Sequence, residues 1–194
     1  MVEEFKQKNM GSLARQVQIV ATDLSTTVLE QARLGEYDKL SVMRGLSNER
    51  LDKFFDKTPA GNWRVKSLLR DRIDFRPINL MDSYTGLGKF DIVFCRNVLI
   101  YFNADLKRQI LQKIHASLKP QGILYLGSSE GLAGAADLFE MVRCEPGILY
   151  KAIWFFKRRF DSLASWILGV KTWKPPSLGD GGFFIVLDFQ GELK

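Results

Sequence analysis

The sequence predicts a doubly wound α/β domain with a mostly parallel sheet, on the evidence of three features. Short apolar runs rich in β-branched residues, at 17–22 and 90–95, are typical of buried strands. After the second run, apolar residues repeat at helical spacing at Leu106, Ile110, Ile114 and Leu118. Residues 123–126 then return as a strand, and strand, helix and strand joined in this way form a parallel, right-handed unit.

The first of these units begins with the strand at 17–22, which ends at Asp23. Ser25, Thr26 and Thr27 can cap a following helix, which Gly35 closes. Residues 37–74 are charged and only weakly periodic, which indicates an insertion. Within it we predict a helix over 47–55, capped by Ser47, and a turn at 58–62.

The rest of the sheet follows from similar signals. Residues 75–79 and 148–152 are short strand candidates, and Asn103 has the character of a helix cap. Residues 119–122 (KPQG) should stop the central helix. These elements place a domain at 1–152 and leave 153–194 as a tail.

The tail differs in composition from the domain. It holds three of the four tryptophans and six of the fourteen phenylalanines. A helical stripe runs through it at Phe160, Leu163, Ile167 and Val170, for which packing or disorder competes with binding to a membrane surface. Residues 183–189 are strand-like and are expected to pair with an exposed sheet edge.

Composition excludes several classes of protein. The 194 residues are 46% hydrophobic and 26% charged with a net charge of +6, which is ordinary for a globular domain. The charged first residues do not resemble a signal peptide, and two cysteines cannot form a disulfide framework, so we expect a cytoplasmic protein. Basic residues form no stripe with aromatic ones, which argues against nucleic-acid binding.

Metal and triad chemistry are also disfavoured. Cys95 and Cys144 lack the paired spacing of metal ligands, so we expect no metal site. His115 is the only histidine, and its place between Ile114 and Ala116 favours a solvated helix position over catalysis.

Candidate site residues follow four predicted strands. In doubly wound sheets, ligands bind beyond the carboxyl ends of the strands. This rule selects Asp23, the pairs Asn79–Leu80 and Arg96–Asn97, and residues 128–130. We expect them to converge on one edge of the sheet.

Each candidate has a second interpretation. Asp23 is suited to bind a ribose diol, or it is a carboxylate at a helix start. Asn79 and Asn97 offer amides to a ligand, although turn-forming asparagines are common. The guanidinium of Arg96 would pair either with Asp82 or Asp91, or with a ligand carboxylate. Most aromatics placed like Tyr101 belong to the core, but its hydroxyl would also suit the orientation of a reacting carboxylate.

Residues 90–102 (FDIVFCRNVLIYF) closely resemble the signature of the CheR family, the chemotaxis receptor glutamate methyltransferases. Supporting resemblances lie at 21–25 (ATDLS), 79–80 (NL), 118–122 (LKPQG) and 127–130 (GSSE). The resemblance covers roughly residues 16–152. It implies a Rossmann-like class I methyltransferase fold, S-adenosylmethionine as cofactor, and chemoreceptor glutamates as methyl acceptors.

The resemblance also assigns roles to individual residues. Asp23 is expected to bind the ribose, Asn79, Leu80, Arg96 and Asn97 to line the cofactor pocket, and Tyr101 to face the methyl-transfer site. Arg96 and Tyr101 are therefore the catalytic candidates.

The chain departs from the family pattern in three places. The family has a helical domain and a glycine-rich first cofactor motif before the Asp23 strand, and neither is found here, so we expect a sheet without its first strand and cofactor loop. Ser128 stands where histidine is frequent. The turn at 56–62 is short, which predicts no tethering to a receptor's tail peptide. A non-catalytic module that binds receptor or partner, or another nucleotide-binding α/β protein, therefore remain alternatives.

Overall fold

A seven-stranded sheet forms the centre of the fold. The computed structural model describes residues 18–43, 46–144 and 147–154, and the backbone of 182–186. The strands are β1 (Gln18–Asp23), β2 (Glu36–Tyr37), β3 (Phe55–Lys57), β4 (Trp63–Val65), β5 (Ile73–Pro77), β6 (Phe90–Cys95), β7 (Leu118–Leu126), β8 (Phe139–Cys144), β9 (Gly147–Ala152) and β10 (Gly182–Val186). The helices are α1 (Thr26–Leu34), α2 (Lys39–Met43), α3 (Asn48–Phe54), α4 (Ser67–Arg70) and α5 (Ala104–Ser117), with 3₁₀ turns at Thr85–Leu87 and Leu99–Tyr101.

The large sheet has the order β5-β1-β10-β6-β7-β9-β8. Its first five strands run parallel to one another. Strand β9 then pairs antiparallel with β7, and the edge strand β8 pairs antiparallel with β9. The prediction of a mostly parallel, doubly wound sheet is therefore confirmed.

Strand β10 occupies the place between β1 and β6. It pairs in parallel with β1 from Gln18↔Gly182 to Thr22↔Val186, and with β6 on its other side. The strand expected at 183–189 is confirmed for 183–186, although it pairs with a strand on each side and not with one edge, while 187–189 lie outside the described residues. A strand from the tail thus adds a parallel neighbour to both β1 and β6. The helical stripe at 160–170 also lies outside the described part of the chain.

The insertion predicted at 37–74 folds as small elements beside the main sheet. Strands β2, β4 and β3 form a three-stranded antiparallel sheet. The Ser47 hydroxyl accepts a hydrogen bond from the Arg50 amide and caps α3, as predicted. The predicted turn joins β3 to β4, where the amide of Gly61 donates to the carbonyl of Thr58.

Side-chain caps fix the starts of two helices, α1 and α5. Ser25 caps α1 through the Val28 amide, and Asn103 caps α5 through the Leu106 amide at 2.9 Å. Helix α1 ends at Gly35, whose φ of 62° lies in the left-handed region that glycine tolerates. Helix α1 thus begins directly after β1, whereas α5 begins after the loop and 3₁₀ turn that follow β6.

The core lies between β6, β7 and α5. Its fully buried members include Val93, Cys95, Ile110, Leu111, Ile114, Leu118 and Leu124. Burial of each large aliphatic side chain contributes about 1.5–3 kcal/mol. The predicted helical stripe of α5 is confirmed at Ile110 and Ile114, which anchor this helix against the sheet.

The local structure differs from the sequence-based predictions in three places. Strand β8 was not predicted, because its sequence FEMVRC carries charged residues at an edge position. The strand expected at 75–79 runs from Ile73 to Pro77. Strand β7 begins at Leu118 rather than Ile123, since a register irregularity opposite Phe90 accommodates Pro120 and Gly122 within the strand.

His115 is not a solvated helix residue, as the sequence had indicated. Its ring stacks on Trp154 at a centroid distance of 4.8 Å and meets Phe139 edge-on at 5.4 Å. Its Nε2 donates a hydrogen bond to the carbonyl of Ile153 at 2.8 Å. The imidazole therefore fastens α5 to the chain after β9.

Within the described residues, no helix is long and apolar enough to cross a membrane.

Candidate functional site

A cavity of about 230 Å³ opens at the carboxyl ends of β1, β5 and β6. Three loops supply its walls, one after each of these strands. The lining residues are Thr22, Asp23, Leu24, Ile78, Asn79, Leu80, Asn97, Val98, Tyr101 and Phe102. This is the edge of the sheet where parallel α/β folds bind their ligands.

Asp23 provides the carboxylate of the cavity. It is the last residue of β1 and is half-buried. Its Oδ1 accepts a hydrogen bond from the Ser25 amide at 2.7 Å, which fixes the carboxylate orientation just before α1. Among the described residues no hydrogen bond engages Oδ2, so this oxygen is available to a ligand hydroxyl.

The loop after β5 forms a second wall. Asn79 Oδ1 accepts from the Met81 amide at 2.8 Å, and the Asp82 amide donates to the Asn79 carbonyl at 2.9 Å. These bonds fold residues 79–82 into a tight turn in which Asn79 Oδ1 is engaged. Its amide nitrogen is the group this side chain can offer to a ligand.

Two side chains outside residues 79–82 donate hydrogen bonds to carbonyl groups of this turn. The hydroxyl of Tyr84 donates to the Leu80 carbonyl at 2.5 Å, and Tyr84 is only 3% exposed. Burial raises the pKa of Tyr84 above its usual range, so the hydroxyl remains a donor at neutral pH. The ammonium group of Lys113 on α5 donates to the Met81 carbonyl.

The loop after β6 forms the third wall and begins at Asn97. This residue has a φ of 60°, in the left-handed region that costs energy for a non-glycine residue. The carboxylate of Glu130 accepts hydrogen bonds from the amides of Asn97, Val98 and Leu99. The 3₁₀ turn that follows brings Tyr101 to the cavity.

Tyr101 and Leu24 lie at the mouth of the cavity. They are 64% and 69% exposed, although both also line it. Tyr101 is thus not the core aromatic that its apolar neighbours made plausible. Its exposed hydroxyl can meet a group that approaches from solvent.

The cavity unites most of the residues predicted for the site. Asp23, Asn79, Leu80, Asn97 and Tyr101 all line it, as the strand-end rule required. Arg96 is exposed and lies outside the lining set, so its assignment has the least geometric support. Its alternative partner Asp91 pairs with Lys119 at 3.1 Å. The roles of all six residues stay predictions.

Sequence reasoning missed other contributors. Thr22, Leu24, Ile78, Val98 and Phe102 line the cavity beside predicted residues, and adjacency in sequence was the available signal. Tyr84 and Glu130 do not line the cavity but hold its walls from outside. The strand-end rule selected Glu130 among residues 128–130, but the contacts it makes are seen only in the structure.

The groups around the cavity suit a nucleoside-containing ligand. A strand-end carboxylate can accept two hydrogen bonds from a ribose diol, and amides can match the edge of a base. Ile78, Leu80, Val98 and Phe102 provide apolar surface for the flat face of a base.

Comparison with protein families matches residues 4–148 to the CheR methyltransferase, SAM-binding domain. This match covers most of the chain. The chain belongs to the CheR family. Its domain therefore has the class I methyltransferase fold, and the resemblance noted in residues 90–102 is confirmed.

Curated relatives agree with this assignment to the CheR family. The chain is 56% identical over 151 residues to chemotaxis protein methyltransferase Cher2 of Pseudomonas putida, covering 78% of this chain and 55% of the relative. The same figures hold for chemotaxis protein methyltransferase 1 of Pseudomonas aeruginosa. Chemotaxis protein methyltransferase 1 of Vibrio cholerae is 53% identical over 148 residues, which cover 76% of this chain and 54% of the relative. The chain spans about half the length of these relatives.

Proposed function

We propose that this chain binds S-adenosylmethionine and transfers its methyl group to glutamate side chains of chemoreceptors. The observation that carries this proposal is the convergence of Asp23, Asn79, Asn97 and Tyr101 on one cavity in a CheR-family domain. The names of the relatives, all chemotaxis protein methyltransferases, support the reaction and its biological setting.

In this proposal each lining residue binds a different part of the cofactor. Asp23 accepts hydrogen bonds from the ribose hydroxyls through Oδ2. Asn79 and Leu80 contact the adenine, the first through its amide and the second through its apolar surface. Asn97 binds from the wall after β6, and Arg96 precedes it directly after the end of that strand, where a cationic side chain suits an incoming carboxylate.

The reaction needs positioning more than acid–base chemistry. When bound, S-adenosylmethionine supplies a methyl group on a positively charged sulfur atom. A glutamate acceptor has a pKa of about 4.3 and is already ionised at neutral pH, so no general base is required. The chain's contribution is to align the acceptor oxygen and to exclude water from it. Tyr101, exposed at the mouth, is placed to orient that carboxylate.

The partner in this proposal is the cytoplasmic part of a chemoreceptor, and the compartment is the cytoplasm. The names of the relatives, which are chemotaxis protein methyltransferases, support both parts of this proposal. Nucleic acid and a membrane span play no part in the proposal.

Calorimetric titration with S-adenosylmethionine, followed by a transfer assay with methyl-labelled cofactor and a receptor cytoplasmic fragment, tests the proposal. Binding together with label on receptor glutamates supports it. Binding without transfer favours the non-catalytic module that keeps the methyltransferase fold. Absence of heat at millimolar cofactor would overturn the assignment, because a millimolar Kd corresponds to only about 4 kcal/mol of binding energy.

A further inference from the structure

Glu130 makes an unusual set of contacts for a side chain that does not line the cavity. Its Oε2 accepts from the amides of Asn97 at 2.8 Å and Gly127 at 2.7 Å. Its Oε1 accepts from the amides of Val98 at 2.9 Å and Leu99 at 2.7 Å. One carboxylate thus satisfies four main-chain donors, and hydrogen bonds to an ionised acceptor are about twice as strong as neutral ones.

These bonds join two loops that the sequence separates. The donors at 97–99 belong to the loop after β6, whereas Gly127 and Glu130 form the turn after β7, closed by the Glu130 amide on the Gly127 carbonyl at 3.0 Å. Because β6 and β7 are parallel neighbours, both loops leave the same edge of the sheet. The carboxylate is therefore a clamp between them.

Gly127 shows how closely the two loops approach. A Cβ atom at this position would lie 2.6 Å from Glu130 Oε2 and 2.7 Å from Asn97 Oδ1. Both distances are too short for a real contact, so a side chain here would displace the Glu130 carboxylate or the Asn97 amide from the positions that they occupy. The side chain of Asn97 consequently lies directly over the Gly127 backbone.

The clamp also accounts for the backbone of Asn97. A φ of 60° is unfavourable for asparagine unless its surroundings hold it. Three consecutive amides pointing at one carboxylate resemble the main-chain concavities that bind anions, and such an anchor opposes relaxation of the loop. Asn97, Val98, Tyr101 and Phe102, all cavity-lining, lie in or just after the held segment.

We propose that Glu130 is a positioning residue that holds the Asn97–Tyr101 wall of the cofactor cavity in its binding geometry. It acts through main-chain amides and has no contact of its own with the ligand. Only the ligand-binding part of this inference rests on the proposed function, since the clamp itself exists without a ligand.

Hydrogen exchange of backbone amides measures the clamp directly in the ligand-free chain. Glu130→Gln keeps the shape of the side chain but replaces one acceptor oxygen with a donor that faces amide donors. We expect exchange at 97–99 and 127 to be at least about tenfold faster, since each unsatisfied amide costs about 1–3 kcal/mol. Amides of β7 and β9 should keep wild-type rates, which separates a local release from general destabilisation.

Glu140→Gln is the matched control, because Glu140 is exposed on β8. It should leave exchange at 97–99 unchanged. Glu130→Asp keeps the charge but is one carbon shorter, and it replaces Glu130→Gln if that variant does not fold. Wild-type exchange at 97–99 in both Glu130 variants would overturn the proposal.

Binding of S-adenosylhomocysteine supplies the second readout. We expect Kd to rise about tenfold to a hundredfold in Glu130→Gln. The effect should be strongly non-additive with Asn97→Ala, because the clamp acts through that residue. Faster exchange with unchanged Kd would reduce Glu130 to a structural role and overturn the proposal. If the wild-type chain binds no cofactor, the proposed function fails, whereas the exchange data still decide the clamp.

Discussion

The main-chain amide of Ile78 donates a hydrogen bond to the carbonyl of Asp23 at 3.0 Å. This bond continues the parallel pairing of β1 with β5, in which Asp23 lies opposite Pro77. In a parallel ladder the residue after the paired one donates this bond, so the absence of an amide proton at Pro77 leaves it intact. The Asp23 carboxylate at the end of β1 and the Asn79 turn after β5 are consequently held at fixed positions relative to each other.

Among the cavity residues, Asp23 is expected to contribute most of the binding energy for the ribose. Asp23→Ala should weaken binding of S-adenosylhomocysteine by about 1–3 kcal/mol, because two charge-assisted hydrogen bonds are lost. Isothermal titration calorimetry measures the change. Asp56→Ala, at an exposed carboxylate on β3, is the control and should bind as the wild type does. Equal affinities for Asp23→Ala and wild type would remove Asp23 from the ribose site.

Tyr101 is expected to act on the acceptor rather than on the cofactor. Tyr101→Phe keeps the ring at the mouth of the cavity but removes the hydroxyl, so kcat for receptor methylation should fall by about tenfold or more while cofactor affinity changes little. Steady-state kinetics with varied cofactor separate the two quantities. Tyr125→Phe, whose ring stacks on Phe94 in the sheet, serves as the control. An unchanged turnover number for Tyr101→Phe would contradict this role.

Gly127 is expected to tolerate a side chain poorly. Gly127→Ala places a methyl group 2.6 Å from Glu130 Oε2 and 2.7 Å from Asn97 Oδ1, so these side chains must shift and the hydrogen bonds of the Glu130 carboxylate are disturbed. We predict a loss of about 1–3 kcal/mol in the free energy of unfolding, measured by urea denaturation. Gly131→Ala is the matched control, since a Cβ there meets nothing within 4 Å. Similar stabilities of the two variants would contradict this prediction and show that the Glu130 and Asn97 side chains accommodate the methyl group without loss of stability.

Tyr84 should make stability depend on pH in the alkaline range. Burial raises the pKa of its hydroxyl, so the folded chain keeps a proton that the unfolded chain releases above about pH 10. The free energy of unfolding should therefore fall with rising pH there, by up to about 1.4 kcal/mol per pH unit from this group. Tyr84→Phe lacks this contribution and should show a shallower slope in urea titrations. Parallel slopes would argue that Tyr84 is accessible to solvent.

Strand β10 should be needed for the integrity of the sheet. Ile185→Pro removes an amide within a strand that has neighbours on both sides, which should cost about 3 kcal/mol or more. Ile185→Val keeps the amide and should cost less than about 1.5 kcal/mol. Thermal unfolding followed by circular dichroism compares the two. If proline is tolerated as well as valine, β10 does not contribute to the stable sheet.

The sequence predicted the parts of the fold that local chemistry determines. Strand β6 is a continuous apolar run, and Asn103 caps α5 because its short polar side chain reaches the Leu106 amide. The site residues at strand ends were predictable too, since the rule for parallel sheets applies whatever the loops contain. Asp23, Asn79 and Asn97 are examples.

Long-range contacts were not predictable in this way. The strand-end rule selected residues 128–130, but the role of Glu130 was not predictable, because its four donors lie partly in a loop about 30 residues earlier. His115 was misjudged for a similar reason, as Trp154 and Phe139 reach it from beyond the end of β7. Residues 118–122 contain proline and glycine, which hid the first part of a strand that a register irregularity accommodates.

The position of β10 has a consequence for how the chain acquires its structure. β10 follows every other described strand in the sequence, yet β1 and β6 both pair with it. During synthesis these two strands leave the ribosome long before the strand that lies between them. The sheet must therefore close after translation of residues 182–186, which makes its central pairing a slow, non-local event. Until then β1 and β6 lack the neighbour that lies between them in the folded sheet, and unpaired strand edges of this kind favour aggregation.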